Sequence, residues 1–285
     1  MRTTANRLDP PEGFELRLEY APTADLTARY GHGRPQHRGL EAILARGIER
    51  YRATLEQLAQ YKEDLVRLPL HGVDAPEPCW INEWLIGLDT VSLYGFLRSR
   101  RPARYVEIGS GQSTKVVARA CRDGGFDTEI ISIDPSPRAE VDGLCDVVHR
   151  SPLEALDIAQ AFDGLTAGDV VFFDGSHRVL PNSDCVAFFM DVLPALPEGV
   201  LVGIHDVYLP SDYPPGFIEL WWSEQYALAS YLLADSARLR VALPCYYVSG
   251  LPELATILDP LWTHPGFDEI NPRGTAFWLE ITRSP

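Results

Sequence analysis

Short apolar segments alternate with helical segments from residue 104 onwards, and this alternation constrains the fold more than any other feature of the chain. Runs such as VVFF, at residues 170–173, are apolar without interruption, which is typical of strands buried on both sides of a parallel sheet. Helices between such strands cover the two faces, so the sequence predicts an α/β fold. The predicted strands are residues 104–108, 129–133, 146–149, 169–173, 200–204, 239–243 and 276–281, and the predicted helices between them are residues 113–122, 138–144, 153–159, 183–193 and 219–234.

A glycine turn, EIGSGQST, follows the first predicted strand. Gly109 and Gly111 let a ligand approach the main chain, and a helix that begins near Ser113 offers unpaired N–H groups. Ligands of such sheets bind beyond the carboxyl ends of the strands, so we interpret the turn as a ligand cradle; a tight connection without a ligand is the alternative. Asp134 ends the next strand and can accept both ribose hydroxyls, which favours a nucleoside ligand. Thr114 stands where a dinucleotide fingerprint has Gly or Ala, which disfavours a nicotinamide cofactor.

The first hundred residues follow a different pattern. Residues 1–40 are rich in turn formers and predict a loosely structured arm. Apolar residues near helical spacing over 40–68 predict one amphipathic helix, and residues 82–97 predict a second. We therefore divide the chain into an amino-terminal arm with a helical extension, residues 1–97, and an α/β domain, residues 98–285. The apolar face of the first helix needs a partner, which we expect to be the α/β domain or a second copy of the chain in a homo-oligomer.

Charge and cysteine content limit the kinds of binding partner and the cellular compartment that the sequence favours. The chain has 25 basic and 40 acidic residues, and the resulting formal charge of −15 disfavours nucleic acid and anionic membranes as partners. Five scattered cysteines without a C-x-x-C pair predict neither a disulfide framework nor a zinc ribbon. No apolar run is long enough for a membrane span, and the first residues lack the apolar core of a secretory signal. These observations predict a cytoplasmic protein.

Four motifs in order, YVEIGSGQST, ISIDPSPR, DVVFFDGSH and GVLVGIHDVYLPSDYPP, resemble those of class I S-adenosylmethionine-dependent methyltransferases, in the type-24 methyltransferase-domain branch. The resemblance covers about residues 80–285. It implies a Rossmann-like, seven-stranded, mostly parallel sheet in the order 3-2-1-4-5-7-6, and S-adenosylmethionine as the cofactor. It also implies a set of cofactor-binding residues: Glu107, Gly109, Ser110 and Gly111 at the amino acid end, Ser113 at the helix start, Asp134 at the ribose, and Arg150 and Ser151 at the edge of the adenine.

A second concentration of unusual residues lies in FFDGSH and GIHDVYLP. The resemblance makes their strands neighbours, so Asp174, His177, His205 and Asp206 would converge on one cleft as the catalytic group. Asp174, His205 and Asp206 could bind a divalent metal that holds a substrate hydroxyl and lowers its pKa. Histidine ligands favour iron, manganese or zinc over magnesium. Alternatively, His205 or His177 acts as a general base without metal, or the four residues are structural.

The resemblance and the acid–imidazole group together predict a methyltransferase that acts on a hydroxyl of a small molecule or a sugar. The sequence leaves open a second class, a catalytically inactive cofactor-binding or scaffold protein of the same fold. A nicotinamide-dependent oxidoreductase is disfavoured because the chain lacks a Tyr-x-x-x-Lys pair.

Overall fold

The computed structural model describes residues 26–72, 76–137, 139–235 and 237–283. Its centre is a seven-stranded sheet in the order β3-β2-β1-β4-β5-β7-β6, which confirms the predicted fold class and strand order. Strands β1 to β5 run parallel, and β7 is antiparallel to both β5 and β6. The strands are β1 Arg104–Ile108, β2 Glu129–Ile133, β3 Val147–His149, β4 Val170–Phe173, β5 Leu201–Ile204, β6 Leu239–Pro244 and β7 Phe277–Ile281.

The strands occur where the apolar runs predicted them, and each observed end lies within one residue of the prediction. Every residue of β4 and of β5 is buried, because helices cover both faces of the central strands. In the parallel register of these two strands Phe173 lies opposite Ile204, so the residues that follow them emerge side by side. The register therefore supports the expected convergence of the two histidine-containing motifs.

Helices flank the sheet and form the amino-terminal extension. Four short pieces within the α/β part are irregular: a π-helical turn at Phe188–Val192 and 3-10 turns at Asp142–Leu144, Leu153–Ala155 and Thr256–Leu258. The helices are α1 Arg38–Ala45, α2 Ile48–Ala59, α3 Lys62–Leu65, α4 Gly87–Arg100, α5 Gln112–Gly124, α6 Ile158–Ala161, α7 Asp184–Ala187, α8 Leu193–Ala195, α9 Pro215–Glu219, α10 Glu224–Leu233, α11 Cys245–Ser249, α12 Pro252–Ala255 and α13 Asp259–Trp262.

The prediction of one helix over residues 40–68 is wrong, because the chain turns twice within it and forms α1, α2 and α3. At the first turn, a Cβ on Gly47 would lie 2.3 Å from the ring of Tyr51, so the ring packs directly on the glycine backbone. The predicted helix over 138–144 is also wrong in its described part, which contains only the 3-10 turn; Arg138 itself lies outside the described residues. In both segments the apolar residues recur at helical spacing, but the chain does not form one continuous helix.

The amino-terminal extension packs on the sheet layer of its own chain. Tyr51, Leu55 and Leu58 of α2 are at most 1% exposed and belong to the same apolar core as the strands. A Cβ on Gly95 of α4 would lie 2.2 Å from Leu58, so the two helices touch at that glycine. The apolar face predicted for this extension is therefore covered within the monomer. The domain division at residue 97 stays a prediction, and α4 crosses it.

The start of the chain is described only in part. The predicted arm lies outside the described residues up to residue 25. After it, the backbone N–H of Arg29 donates to the Asp212 carboxylate at 2.9 Å, and the N–H of Asp212 donates to the Tyr30 carbonyl at 3.0 Å. The described end of the arm is thus fixed to the loop that follows β5. None of the helices in the described ranges has both the length and the apolar character needed to cross a membrane.

Candidate active site

A cavity of about 390 Å³ opens at the carboxyl ends of β1, β2 and β4. Its walls include five of the residues predicted to bind the cofactor and one from the predicted catalytic group. These six are Gly109, Ser110, Gly111, Ser113, Asp134 and Asp174. The cavity therefore occupies the place where a doubly wound sheet binds its ligand.

The two glycines of the turn have different constraints. Gly109 has φ +82°, and a Cβ there would lie 1.8 Å from the carbonyl oxygen of Asp174. This position accepts only glycine because both the backbone angle and the space exclude a side chain. Gly111 is extended, with φ 174°, and a Cβ there would meet nothing within 4 Å. The first glycine is required by the fold, whereas the second keeps the cavity wall clear.

Asp134 stands at the end of β2 and is held by two backbone N–H groups. Ser110 donates to one of its carboxylate oxygens at 2.7 Å, and Ser136 donates to the other at 2.7 Å. Each oxygen keeps a second lone pair. The carboxylate is therefore fixed in position and can still accept two hydroxyls from a ligand in the cavity.

Glu107 lies beneath the turn and has no exposed surface. The hydroxyl of Tyr105 donates to it at 2.8 Å, and the hydroxyl of Thr114 donates to its other oxygen. Burial raises the pKa of Glu107 to about 7, although the hydroxyl donors oppose this shift. In this structure Glu107 supports the turn from below, and the cavity wall is formed by the residues that follow it.

Arg150 and Ser151 lie beside the cavity, whose wall continues with their neighbours Pro152, Leu153 and Glu154. The Arg150 guanidinium donates to the carbonyl of Asp134 at 3.0 Å and pairs with Asp142. Arg150 thus braces the backbone behind the acid at the end of β2.

Several residues of the cavity wall were missed by the sequence analysis. Trp84 and Leu85, which precede α4, reach the cavity from the amino-terminal extension. Asp184 also lines it and accepts hydrogen bonds from the backbone and the side chain of Ser176. The first two carry no motif. The sequence favours Asp184 as an acid in the first turn of a helix, with a position in the cleft as the alternative, and the structure has it in the cavity wall.

The four residues predicted as the catalytic group come together beyond β4 and β5, and we call Asp174, His177, His205 and Asp206 the cup. His177 Nε2 lies 3.5 Å from Asp174 Oδ1 and 3.7 Å from Asp206 Oδ2. His205 Nδ1 lies 3.7 Å from Asp174 Oδ1 and 3.4 Å from Asp206 Oδ2. One oxygen of each carboxylate therefore faces one nitrogen of each imidazole. Asp174 also lines the cavity, so the cup and the cavity share a wall.

Backbone geometry places two of these side chains. His177 has φ +63° and Asp206 has φ +56°, both in the left-handed region that non-glycine residues seldom adopt. His205, between them in space, continues the parallel ladder because its N–H donates to the Phe173 carbonyl at 2.9 Å. Strained backbone of this kind clusters at functional sites, where surrounding contacts hold it in place.

His205 carries the one polar atom of the cup that is both buried and unpaired. Its side chain is 4% exposed, and Nδ1 has no hydrogen-bond partner in the part of the chain that the structure describes. The other nitrogen, Nε2, lies 3.3 Å from the Asp89 carboxylate. Burial opposes the charged form of His205, yet Asp206 and Asp174 raise its pKa well above the ordinary value.

His177 is held from behind by a buried acid. Its Nδ1 and Oε1 of Glu224 are hydrogen-bonded at 2.7 Å. Burial opposes the charged imidazole, but Glu224 and the two aspartates raise the pKa of His177 to about 9. Burial raises the pKa of Glu224 to about 7, against the opposing effect of His177.

The cup has the donor set of a metal site. Ligand atoms of Asp174, His177 and Asp206 all lie within 4.8 Å of one another. Two ligands that each lie about 2.1 Å from one ion are roughly 3.0 to 3.4 Å apart. The imidazole–carboxylate distances of 3.4 to 3.7 Å would therefore need to contract by a few tenths of an ångström, and a pair at the 4.8 Å limit would need to contract by about 1.4 Å. The unpaired His205 Nδ1 faces the same two carboxylates. The residues present therefore fit a divalent cation held by carboxylate oxygens and imidazole nitrogens.

Comparison with protein families matches residues 106–207 to the family described as methyltransferase domain. The matched range begins in β1 and ends after β5, so it contains the glycine turn, Asp134 and the whole cup. A comparison with curated protein sequences finds no match.

Two solved structures are similar to this chain at low identity. A methyltransferase from Podospora anserina, solved bound to SAH, is 18% identical, covers 80% of this chain and 88% of its own, and has a TM-score of 0.42. An O-methyltransferase from Bacillus cereus, in complex with SAH, is 16% identical, with coverage of 81% and 91% and a TM-score of 0.41. Residues 106–207 match the methyltransferase-domain family, and the strand order of the sheet agrees with the sequence resemblance to class I S-adenosylmethionine-dependent methyltransferases.

Proposed function

We propose that the chain transfers the methyl group of S-adenosylmethionine to a hydroxyl oxygen of a small molecule or a sugar, and that a divalent cation assists at the cup. Asp174, His205 and Asp206 are the proposed ligands, with His177 as a fourth. Asp134 would hold the ribose of the cofactor, and Gly111 and Ser110 would face its amino acid end.

The observation that carries this proposal is the unpaired Nδ1 of His205. A buried polar atom without a partner costs free energy, roughly 1 to 3 kcal/mol, unless a ligand satisfies it. This nitrogen faces Asp174 and Asp206 at 3.7 and 3.4 Å, so whatever satisfies it also lies between two carboxylates. A cation would satisfy the nitrogen and take the place of the proton that Asp206 and Asp174 favour on His205, whereas a water molecule would satisfy the nitrogen alone.

The shared wall supports this proposal, because a cofactor in the cavity and an acceptor at the cup would lie next to each other. Asp174 lines the cofactor cavity and belongs to the cup, so an acceptor held at the cup approaches the cavity directly. A bound cation would lower the pKa of the acceptor hydroxyl and hold its oxygen in a fixed position. The residues of the chain then supply orientation, because methyl transfer to an oxygen needs chiefly an in-line approach.

The donor types favour particular ions. Two imidazoles beside two carboxylates suit iron, manganese or zinc better than magnesium, which prefers oxygen ligands. We further propose a cytoplasmic location for the enzyme. Support comes from its five cysteines, which are all free thiols in the structure.

The test is methyl transfer by the full-length chain with S-adenosylmethionine and a panel of catechols, other phenols and free sugars. Formation of S-adenosylhomocysteine is measured after chelator treatment and again after addition of Mn²⁺, Zn²⁺ or Mg²⁺. Asp206→Asn is the variant of the cup, and Asp191→Asn is its control because Asp191 is exposed on the π-helical turn.

We expect turnover of at least one hydroxylated acceptor, loss of turnover with chelator, and recovery with Mn²⁺ or Zn²⁺. Asp206→Asn should lower turnover at least 100-fold, and Asp191→Asn should leave it unchanged. Turnover that chelator does not affect would remove the cation from the proposal and leave His205 as a metal-free base. Transfer only to amines would overturn the assignment of a hydroxyl acceptor.

A further inference from the structure

A buried carboxylate lies behind each histidine of the cup, on the side away from the aspartates. Glu224 begins α10, and its Oε1 is hydrogen-bonded to His177 Nδ1 at 2.7 Å. Asp89 lies in the first turn of α4, and its Oδ2 is 3.3 Å from His205 Nε2. Both carboxylates are 0% exposed. The two helices that carry them are far apart in sequence.

We infer that Glu224 and Asp89 are positioning residues that fix which nitrogen of each imidazole faces the cup. This inference rests on the proposed function for its purpose, since a fixed nitrogen matters when it must bind a cation. A ring nitrogen that donates its hydrogen to a carboxylate leaves the opposite nitrogen to face the cup. His177 then presents Nε2, and His205 presents Nδ1.

The contacts of Glu224 favour this role over a purely structural one. A buried carboxylate is costly unless it is paired, and at Glu224 the polar contacts in the described residues are His177 Nδ1 and the Cys185 thiol, 3.8 Å away. An apolar residue of the same size would fill the space without that cost. The acid is therefore explained by what it does to the imidazole.

A second device fixes the plane of the same ring. His177 stacks on Trp222 with a centroid separation of 3.9 Å and an interplanar angle of 26°. The opposite face of Trp222 stacks on Phe217 at 4.2 Å and 16°. The stack limits rotation of the imidazole out of its plane, while Glu224 selects the nitrogen that turns towards the aspartates.

Asp89 does two things at once. One of its carboxylate oxygens accepts two backbone N–H groups just before β7. These are the N–H of Thr275 at 2.8 Å and the N–H of Ala276 at 2.7 Å. The other oxygen faces His205. Because a change at Asp89 would also disturb β7, Glu224 is the residue on which the inference can be tested cleanly.

The first experiment titrates the full-length protein with Co²⁺ and follows visible absorption, which reports both affinity and ligand type. It compares wild type, Glu224→Gln and Glu224→Leu. The control is Asp169→Asn. Asp169 is also a buried acid, 1% exposed, but it lies at the amino end of β4, away from the cup, where it accepts the backbone N–H groups of Arg104 and Thr166. Glu224→Gln keeps an oxygen acceptor for His177, whereas Glu224→Leu removes it.

We expect Co²⁺ to bind Glu224→Leu about 10- to 100-fold more weakly than wild type, as is typical when the partner of a metal-bound imidazole is lost. Glu224→Gln should lie between the two, and Asp169→Asn should match wild type in affinity. The absorption band of Glu224→Leu should also shift, because one imidazole no longer reaches the ion. A merely structural role for Glu224 would lower stability without this ordered loss of affinity.

The second experiment needs no cation. In ¹⁵N-labelled protein, the Nδ1 hydrogen of His177 should give a slowly exchanging, strongly downfield proton signal that is present in wild type and absent in Glu224→Leu. If wild type gives this signal but binds no Co²⁺, the positioning of His177 stands and the cation of the proposed function fails. If Glu224→Leu retains both the signal and the Co²⁺ affinity of wild type, Glu224 does not position His177 and the inference is overturned.

Discussion

The cofactor cavity and the cup lie side by side at the carboxyl ends of the strands, but their polar groups find partners in different ways. In the cavity, Asp134 is paired with two backbone N–H groups and Glu107 with two hydroxyls. In the cup, the imidazole nitrogens lie 3.4 to 3.7 Å from the carboxylate oxygens, longer than ordinary hydrogen bonds, and His205 Nδ1 is unpaired in the described chain. The acids of the cavity are thus paired by the fold, although Gln112 Oε1 and Glu154 Oε2 of its wall are also buried without a partner in the described chain, whereas in the cup the acids and imidazoles themselves await a ligand.

This difference follows from what supplies the polar partners. Main-chain N–H groups of a turn come with the fold and need no further group, so the cavity is organised as soon as β1, β2 and α5 form. The cup is built from charged side chains on two loops, and charged groups brought together in a buried place need compensation. We therefore expect substitutions in the cavity wall to act through the fold, and substitutions in the cup to act through ligand binding.

The largest expected effect separates the two glycines of the turn. Gly109→Ala forces a methyl group to within 1.8 Å of the Asp174 carbonyl at φ +82°, so we expect loss of the native fold or a loss of stability above about 3 kcal/mol. Gly111→Ala meets nothing within 4 Å and should fold with a melting temperature close to wild type. Thermal unfolding followed by circular dichroism measures both.

Gly111→Ala should still fail in one respect. Its methyl group projects into the space kept clear for the ligand, so titration calorimetry should show weakened binding of S-adenosylhomocysteine. Wild-type affinity in Gly111→Ala would mean that the ligand does not approach this glycine. A normal melting temperature in Gly109→Ala would mean that the turn can move away from Asp174.

A pH dependence tests whether Glu107 is neutral beneath the turn. Its pKa is raised by burial from 4.5 to about 7, so the folded protein favours the protonated form. The stability that protonation provides is complete below pH 4.5 and is lost as the pH rises towards 7, by about 3 kcal/mol in all. Denaturant unfolding of wild type and Glu107→Gln should therefore differ increasingly between pH 5 and pH 8, with the variant relatively more stable at the higher pH. A constant difference across this range would contradict the buried neutral acid.

The sequence predicted the sheet well because the relevant signals are local. Uninterrupted apolar runs such as Val170–Phe173 need only their own residues to be recognised, and the glycine turn is contained in eight letters. Where local spacing misled, long-range packing decided. The helix predicted over residues 219–234 is interrupted between α9 and α10, where Trp221 has φ +61° and Trp222 stacks between His177 and Phe217.

The candidate site was predictable only in its first layer. The residues of the cup follow the ends of β4 and β5, so topology alone brings them together. Asp174, His205 and Asp206 come directly after a strand, and His177 comes three residues after Asp174. Glu224 and Asp89 lie 47 and 116 positions from the histidines they contact, within helices whose sequences give no sign that these acids are buried. Sequence periodicity describes one element at a time, and the supporting layer of a site is made of contacts between elements.

The difference between the cavity and the cup also predicts that their ligands stabilise the protein independently. A ligand at about 100 times its dissociation constant stabilises by about 2.7 kcal/mol. S-adenosylhomocysteine should therefore raise the melting temperature of both wild type and Asp206→Asn. Mn²⁺ should raise that of wild type and of Asp134→Ala, but should have little effect on Asp206→Asn. If Asp206→Asn abolished both increments, the cavity and the cup would have to be treated as one site.

The smallest expected effect concerns the ribose contact of Asp134. Removing a carboxylate that accepts two ligand hydroxyls should weaken binding of S-adenosylmethionine by roughly 1.5 to 3 kcal/mol, because hydrogen bonds to a charged acceptor are lost. Asp134 also accepts the N–H groups of Ser110 and Ser136, so part of the effect in Asp134→Ala arises from a loosened turn. Asp134→Asn keeps one oxygen acceptor and nearly the same shape, but it loses the charge, and its NH2 group faces one of the two backbone N–H donors. Titration calorimetry should place its affinity between wild type and Asp134→Ala, with 2′-deoxyadenosine-containing analogues losing less affinity on substitution than the ribose form. Equal losses for the ribose and deoxyribose ligands would show that Asp134 acts only on the turn.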